Sequence, residues 1–312
     1  MTPLLNVSRN PVKIPLRAPL TPTQWRNARK QATAAAKRQT EGFESSEIFK
    51  LSIEAKLHKA GCQENWFRNM RRCGRESFVS MCAGCGKSEP RFYQCSNKIC
   101  PRCNWRIAAR RRDLLAKITA GMPETILHVV LTQRNFYENL TEKIKKSRKH
   151  LLQLRRQKIF GKISGGCASM EITNEKKGWH LHWHLLLAAR EFVPASELAK
   201  IWGNLVGQDY AIVKIKPVTE GSYLQEVCKY AAKGSDIVKW KPEEILTFAQ
   251  AVRDVRMFTV FGQFAKVRKF AANLVKQERA ALAPRACACG CQTLVFGQNE
   301  GQCLRMLERG MF

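Results

Sequence analysis

The chain has 312 residues, enough to bury a full core, and carries 54 Lys and Arg against 25 Asp and Glu, a formal net charge of +29. Self-repulsion on that scale needs a polyanion to offset it, so nucleic acid is the expected partner, with an anionic membrane surface as the competitor. The apolar runs, such as Leu185 to Ala189, fall far short of the about 20 residues of a spanning helix, which excludes a membrane-embedded reading.

Residues 1–60 read as a basic N-terminal arm, partly disordered. Pro3, Pro11, Pro15, Pro19 and Pro22 interrupt it, and a basic, alanine-rich run from Gln24 to Arg38 suits a helix that is either a solvated face or a DNA contact. Arg9, Lys13 and Arg17 leave no continuous apolar segment for export, so the expected location is cytoplasmic. In that compartment the 13 cysteines point to metal rather than disulfides.

Residues 61–118 form a cysteine-rich module containing Cys62, Cys73, Cys82, Cys85, Cys95, Cys100 and Cys103. Cys82-Ala83-Gly84-Cys85-Gly86 and Cys100-Pro101-Arg102-Cys103 are two knuckle-like pairs whose 14-residue separation suits a zinc ribbon, with free or redox thiols as the alternative. Cys82, Cys85, Cys100 and Cys103 are therefore the first structural Zn2+ ligand set; Cys95 and Cys73 stand as replacements or as members of a second site. A helix follows from Asn104, with Ile107, Leu114 and Ile118 as its apolar face. Its Arg106, Arg110, Arg111 and Arg112 suit phosphates, and a structural helix is the comparable reading.

Residues 119–278 carry a mixed pattern. Thr125 to Gln133 is a buried strand, Glu138 to about Gln157 a helix on Leu140, Ile144, Leu151 and Leu154, and Cys167 to Thr173 a strand opened by Gly165-Gly166. After a polar turn, Gly178 to Leu187 is a strand that forms a hairpin with it. A helix capped by Ser196, a strand from Ala211 to Lys216 and a helix from Glu220 to Lys233 complete the series. This order makes the fold class α+β: a ferredoxin-like or RNA-recognition-like palm, an antiparallel sheet with helices on one side. A helix from Pro242 to Asp254 comes next. Residues 279–312 form a tail whose Cys287, Cys289, Cys291 and Cys303 allow a second metal site but do not specify one.

Two stretches carry chemistry. His180, His182 and His184 alternate with Trp179, Leu181, Trp183 and Leu185, so a strand puts all three imidazoles on one face, a pattern for a metal ion. A core strand with incidental histidines is the alternative, and it requires a hydrogen-bond partner for each buried ring. On the later helix Tyr223, Glu226, Tyr230 and Lys233 share one face, opposite Leu224, Val227, Cys228 and Ala231. A phosphodiester is attacked well when its charge is neutralised, and a phenol can take the phosphoryl group covalently. Tyrosine ionises near ~10 in water, so a metal, Lys229 or Lys233 must favour its ionised form, while Glu226 suits a general base.

These residues resemble the HUH endonuclease superfamily, in which U is a bulky apolar residue. His180-Leu181-His182-Trp183-His184 is similar to its histidine motif, and Glu226-x-x-Lys229-Tyr230-x-x-Lys233-x-x-Asp236 to the tyrosine motif of rolling-circle plasmid replication initiators. Leu131-Thr132-Gln133-Arg134-Asn135 resembles the family's first motif, and Cys95-x4-Cys100-Pro101-x-Cys103-Asn104-Trp105-Arg106 its cysteine-rich segment.

The resemblance implies an HUH palm behind a zinc-ribbon-like module and a sequence-specific nickase. It would act on single- and double-stranded plasmid origin DNA, with host helicase and polymerase as partners, through a 5′-phosphotyrosine on Tyr230. Catalytic Mg2+ or Mn2+ would be held by His182 and His184, then His180, then Glu171. Glu226 would activate water to end the cycle, with Tyr223 as the alternative nucleophile. A homodimer is left open. Rolling-circle transposases and mobilisation relaxases share this chemistry; a non-catalytic zinc-ribbon DNA-binding regulator is the reading from another class.

Overall fold

The computed structural model describes residues 47–175, 177–209, 211–218, 224, 227–228, 234–282, 294–298 and 300–309. The run from Gln24 to Arg38, together with Glu226, Lys229, Tyr230, Lys233, Tyr223, Cys287, Cys289 and Cys291, lies outside them. All the described residues belong to one compact unit, Phe43–Phe312.

The centre is a five-stranded antiparallel sheet of β3 (Thr125–Thr132), β4 (Ile163–Glu175), β5 (Gly178–Ala189), β6 (Val213–Pro217) and β7 (Phe258–Gly262). Its spatial order is β6-β3-β5-β4-β7. Helices α4 (Leu140–Leu154) and α5 (Ala195–Val206) connect β3 to β4 and β5 to β6. The first four strands of the β-α-β-β-α-β series thus lie in the order fourth, first, third, second, which is the ferredoxin-like arrangement expected. β7 extends the sheet beyond β4.

β5 sits in the middle because its odd-numbered side chains are large and apolar. Trp179, Leu181, Trp183, Leu185 and Leu187 join Val129, Leu131, Met170 and Ile172 in the main core. That core is closed by α4, α5, the short α6 (Gly234–Ile237) and α7 (Pro242–Val252), through Ile144, Leu151, Leu198, Trp202, Ile237, Ile245 and Phe248. The buried indoles keep their donors paired: Trp183 Nε1–H donates to Ser147 Oγ on α4 (2.8 Å) and Trp202 Nε1–H to the Thr132 carbonyl (2.7 Å). Gly178, at φ +89°, opens β5 where a Cβ would lie 2.5 Å from the Phe136 carbonyl. Trp179 and Phe136 exchange backbone hydrogen bonds there, at 2.8 and 2.9 Å.

The opposite face of the sheet is also covered, a departure from the one-sided palm. Cys167, Leu186 and Ala188 pack with Leu115 and Ile118 of α3 (Pro101–Ala120) and with Phe264 and Ala271 of α8 (Gln263–Leu282). Lys266, Lys269 and Lys276 obscure α8 in the sequence, yet it closes this second core along β4 and β7. Gly165 permits the approach: a Cβ there would lie 2.4 Å from the Gln263 amide nitrogen.

Before the sheet, α1 (47–59) and α2 (Asn65–Arg72) place Ile53, Leu57, Phe67 and Met70 in the main core. β1 (Ser77–Cys82) and β2 (Ser88–Phe92) form a hairpin. The tail returns to it: β8 (Leu294–Gly297) pairs with β1, and α9 (Glu300–Glu308) supplies buried Cys303 to their small core. Among the described residues no helix is long and apolar enough to cross a membrane.

Candidate active site and cysteine cluster

The antiparallel register puts a row of polar side chains on the face of β5 opposite the main core. His182 stands directly across from Glu171 of β4 and Thr132 of β3, and His184 across from Ser169 and Val130. Directly opposed residues share a face, so His180, His182, His184 and Glu171 all look the same way. His180 and His182 are half-buried with ring centroids 4.0 Å apart; His184 is buried and 6.4 Å from His182. The strand placement expected of the three histidines is therefore present.

The hydrogen bonds add a residue that sequence reasoning missed. His184 Nε2–H donates to Glu171 Oε2 at 2.8 Å, and its Nδ1 faces Nε2 of His128 on β3 at 3.4 Å. His128 sits across from Leu186, one step further along the same face. Its only signal in the sequence is a histidine at an alternating position of an apolar strand.

In kind, imidazoles and a carboxylate on one rigid face suit a divalent ion. Among the described residues, however, the histidines and Glu171 do not bring three ligand atoms within 4.8 Å of one another; one group does so, and it is made of cysteines.

The row continues into the second core. Leu186 and Ala188 share an apolar cluster with Leu224, Val227 and Cys228, the positions expected to form the buried side of the later helix. The Cys228 N–H donates to the Leu224 carbonyl at 3.0 Å, one helical turn. On the other side of β4, Phe258 of β7 stands across from Ser169. The Arg111 guanidinium lies over its ring, 4.6 Å from the centroid.

Arg106, Arg110, Arg111 and Arg112 all fall on α3, Arg110 exposed and the others half-buried. Burial lowers the Arg106 pKa, with the nearby Arg110 charge acting in the same direction. Leu115 and Ile118 form the deepest part of α3, while Ile107 lines a cavity of about 330 Å³ with Lys98, Asn104, Arg111, Asp254, Arg256 and Phe258. Lys98 has a structural task there: its ammonium donates to the carbonyls of Val252 and Val255, both at 2.8 Å, and to that of Arg253, closing the C-terminus of α7.

The cysteine expectation needs correction. Cys73, Cys95, Cys100 and Cys103 gather with all four Sγ atoms within 4.8 Å of one another. The individual separations include 3.4 Å for Cys73–Cys103, 3.7 Å for Cys95–Cys103 and 3.9 Å for Cys73–Cys100. Cys82 and Cys85 are not part of this group. Cys82 ends β1 and Cys85 is exposed at the β1–β2 turn. The hairpin carries that knuckle away, while α2 delivers Cys73 and the first turn of α3 delivers Cys103.

Hydrogen bonding from Cys100 and then Cys103 lowers the Cys73 thiol, and Cys100 chiefly lowers Cys103 to about 7. Four gathered thiol sulfurs, from buried Cys73, Cys100 and Cys103 and half-buried Cys95, are a donor set of the kind that holds a structural metal ion.

Residues 90–283 match the family described as Replication protein. A Staphylococcus aureus "Protein rep" is 25% identical over 221 residues, covering 63% of this chain and 93% of that protein. A Lactiplantibacillus plantarum "Protein rep" is 28% identical over 168 residues, 48% of this chain and 50% of that protein. One from Streptococcus pneumoniae serotype 2 (strain D39 / NCTC 7466) is 24% identical over 276 residues, 79% and 85% of the two chains. No solved structure matches.

Proposed function

Because this chain belongs to the Replication protein family, we propose that it is a rolling-circle plasmid replication initiator that nicks and rejoins one strand at its origin. The observation that carries this reading is the shared sheet face. Its histidine row runs into an apolar cluster with Leu224, Val227 and Cys228, on the same stretch of chain as Glu226 and Tyr230.

A divalent ion, Mg2+ or Mn2+, would be held from His180, His182, His184 and Glu171, and when bound it supplies a Lewis acid that offsets the charge on the scissile phosphate. The phenol oxygen of Tyr230 attacks phosphorus, the bond from phosphorus to the 3′ oxygen breaks, and that oxygen takes a proton to leave as a 3′ hydroxyl. Lys229 and Lys233 favour the ionised phenol by charge. The phosphotyrosine conserves the bond energy for rejoining, and Glu226 takes a proton from water to end the cycle by hydrolysis. Arg106, Arg110, Arg111 and Arg112 of α3 hold DNA phosphates beside this face, and the Cys73–Cys95–Cys100–Cys103 group holds Zn2+ and fixes the start of α3.

Incubation with supercoiled plasmid carrying the cognate origin tests the reading. Wild type with Mn2+ yields open circles with protein on the 5′ end; Tyr230→Phe binds the origin and yields none. Binding without nicked product from wild type would identify a DNA-binding regulator instead. Glu226→Ala is expected to nick normally and fail at termination, and equal loss of both steps would remove its assigned role.

A further inference from the structure

Among the described residues, the three-stranded sheet β2-β1-β8 is covered on one side, where Met81 of β1 and Val295 of β8 pack with Cys303 of α9. Alternation turns the intervening side chains to the other side. Ser80 stands across from Phe296 of β8 and from Glu89 of β2, and Phe78 stands across from Arg91. Phe78, Ser80, Glu89, Arg91 and Phe296 therefore share the outward face. The two phenylalanines are 36% and 52% exposed, with ring centroids 6.1 Å apart and planes tilted by 59°.

Exposed apolar residues scattered singly need no explanation, but this pair adjoins arginines and a further ring. The Tyr93 N–H donates to the Glu76 carbonyl at 2.8 Å, which extends the ladder one step beyond β2, so Tyr93 follows Arg91 on the same side. The Arg72 guanidinium lies over its ring, 5.1 Å from the centroid. Carboxylates brace both cations: Glu76 meets Arg72 at 2.6 Å, and Glu89 meets Arg91 at 3.4 Å. Arg91 also donates to the Ser80 hydroxyl oxygen at 3.2 Å. Aromatic rings and planar guanidinium groups thus alternate along one open sheet face.

We propose that this face is a stacking platform for the unpaired bases of single-stranded DNA. Every base has a π-face, and rings and guanidinium planes accept it whatever the sequence. The charge of +29 on the whole chain supplies the attraction for the phosphates. An apolar protein surface would bury Arg72 and Arg91 without a further acceptor, whereas a base stacks on a guanidinium plane and leaves its edge donors for a phosphate. The inference rests on the initiator reading for the identity of the ligand, since nicking exposes a single strand. It does not rest on that reading for the site, because none of these residues belongs to the histidine face.

The test uses the full chain without added divalent ion, so that no strand is cut. Fluorescence anisotropy compares an all-dT oligonucleotide of about 12 nucleotides with an abasic one of the same length. Leucine in place of phenylalanine keeps the apolar bulk and removes the π-face. Phe78→Leu combined with Phe296→Leu is expected to bind the dT strand about 100-fold more weakly, roughly tenfold for each ring, and the abasic strand as wild type does. The slope of log affinity against log salt is expected to stay unchanged, because no phosphate contact is lost. Phe296→Trp, which enlarges the π-face, is expected to retain the preference for bases.

Equal weakening on both strands, or none on the dT strand, overturns the platform. So does a double variant whose sedimentation changes while both affinities stay at the wild-type value, which assigns the face to a second copy of the chain. Failure of the platform is distinguishable from failure of the nicking reading. Wild type that prefers bases over abasic backbone yet leaves its origin uncut supports the platform and removes the nicking reading. Wild type that nicks the origin yet binds both strands equally removes the platform alone.

Discussion

At the scale of single residues, a side chain's neighbours matter more than its type. The cysteines show this most clearly. Their spacing announces metal, but the pair chosen as half of the ribbon, Cys82 and Cys85, is carried away by a hairpin. Cys73 and Cys95, 27 and five residues before Cys100, are brought in by α2 and the loop before α3. Replacing Cys95 with Ser is expected to remove one equivalent of bound Zn2+ and lower the melting temperature, while Cys62→Ser, outside the cluster, retains it; chelator titration of released metal decides, and unchanged metal in Cys95→Ser contradicts the assignment. His128 was equally hard to read, because a lone histidine in an apolar strand does not announce the cross-strand neighbour it will meet. His150 on α4, edge-on to Trp202 with centroids 6.5 Å apart, has its pKa lowered by burial and, secondarily, by Lys146. The unfolded chain therefore binds this proton more readily than the folded one, so stability falls as pH drops through about 6.5, the unfolded value. Urea midpoints from pH 7.5 to 5.5 are expected to decline less steeply in His150→Gln than in wild type.

At the scale of elements, the period-two alternation of β5 was legible because its odd positions are bulky and its even positions polar. The hairpin with β4 followed from the polar turn between them, and the strand order from the β-α-β-β-α-β series. β7 and α8 were not legible as such: β7 is short, and the lysines of α8 dilute its apolar period, so the cover on the histidine side of the sheet could not be read from the sequence. The register of β5 depends on its core-facing residues. Trp183→Ala would empty a buried site and leave the Ser147 hydroxyl without its indole donor, an expected loss of about 3–5 kcal/mol in urea denaturation. Since a one-residue slip would turn all three histidines into the core, the same variant tests how firmly the active face is held.

At the scale of the molecule, a charge of +29 meets a sheet covered on both sides, with the histidine row running into the second core and Arg111 of α3 over Phe258 beside it. Charge made nucleic acid legible from composition alone, whereas the return of the tail as β8 onto β1 depends on pairing over more than 200 residues and left no local trace. Origin binding is expected to weaken steeply with salt, and Arg110→Ala together with Arg112→Ala to reduce the slope of log affinity against log salt by about two. The central claim is a covalent tyrosyl bond to DNA. Wild type incubated with Mn2+ and a single-stranded origin oligonucleotide, digested and analysed by mass spectrometry, is predicted to yield a nucleotide linked to Tyr230, absent in Tyr230→Phe and in chelator. Cleaved oligonucleotide with no tyrosine-linked product, or an adduct that persists in Tyr230→Phe, would contradict it.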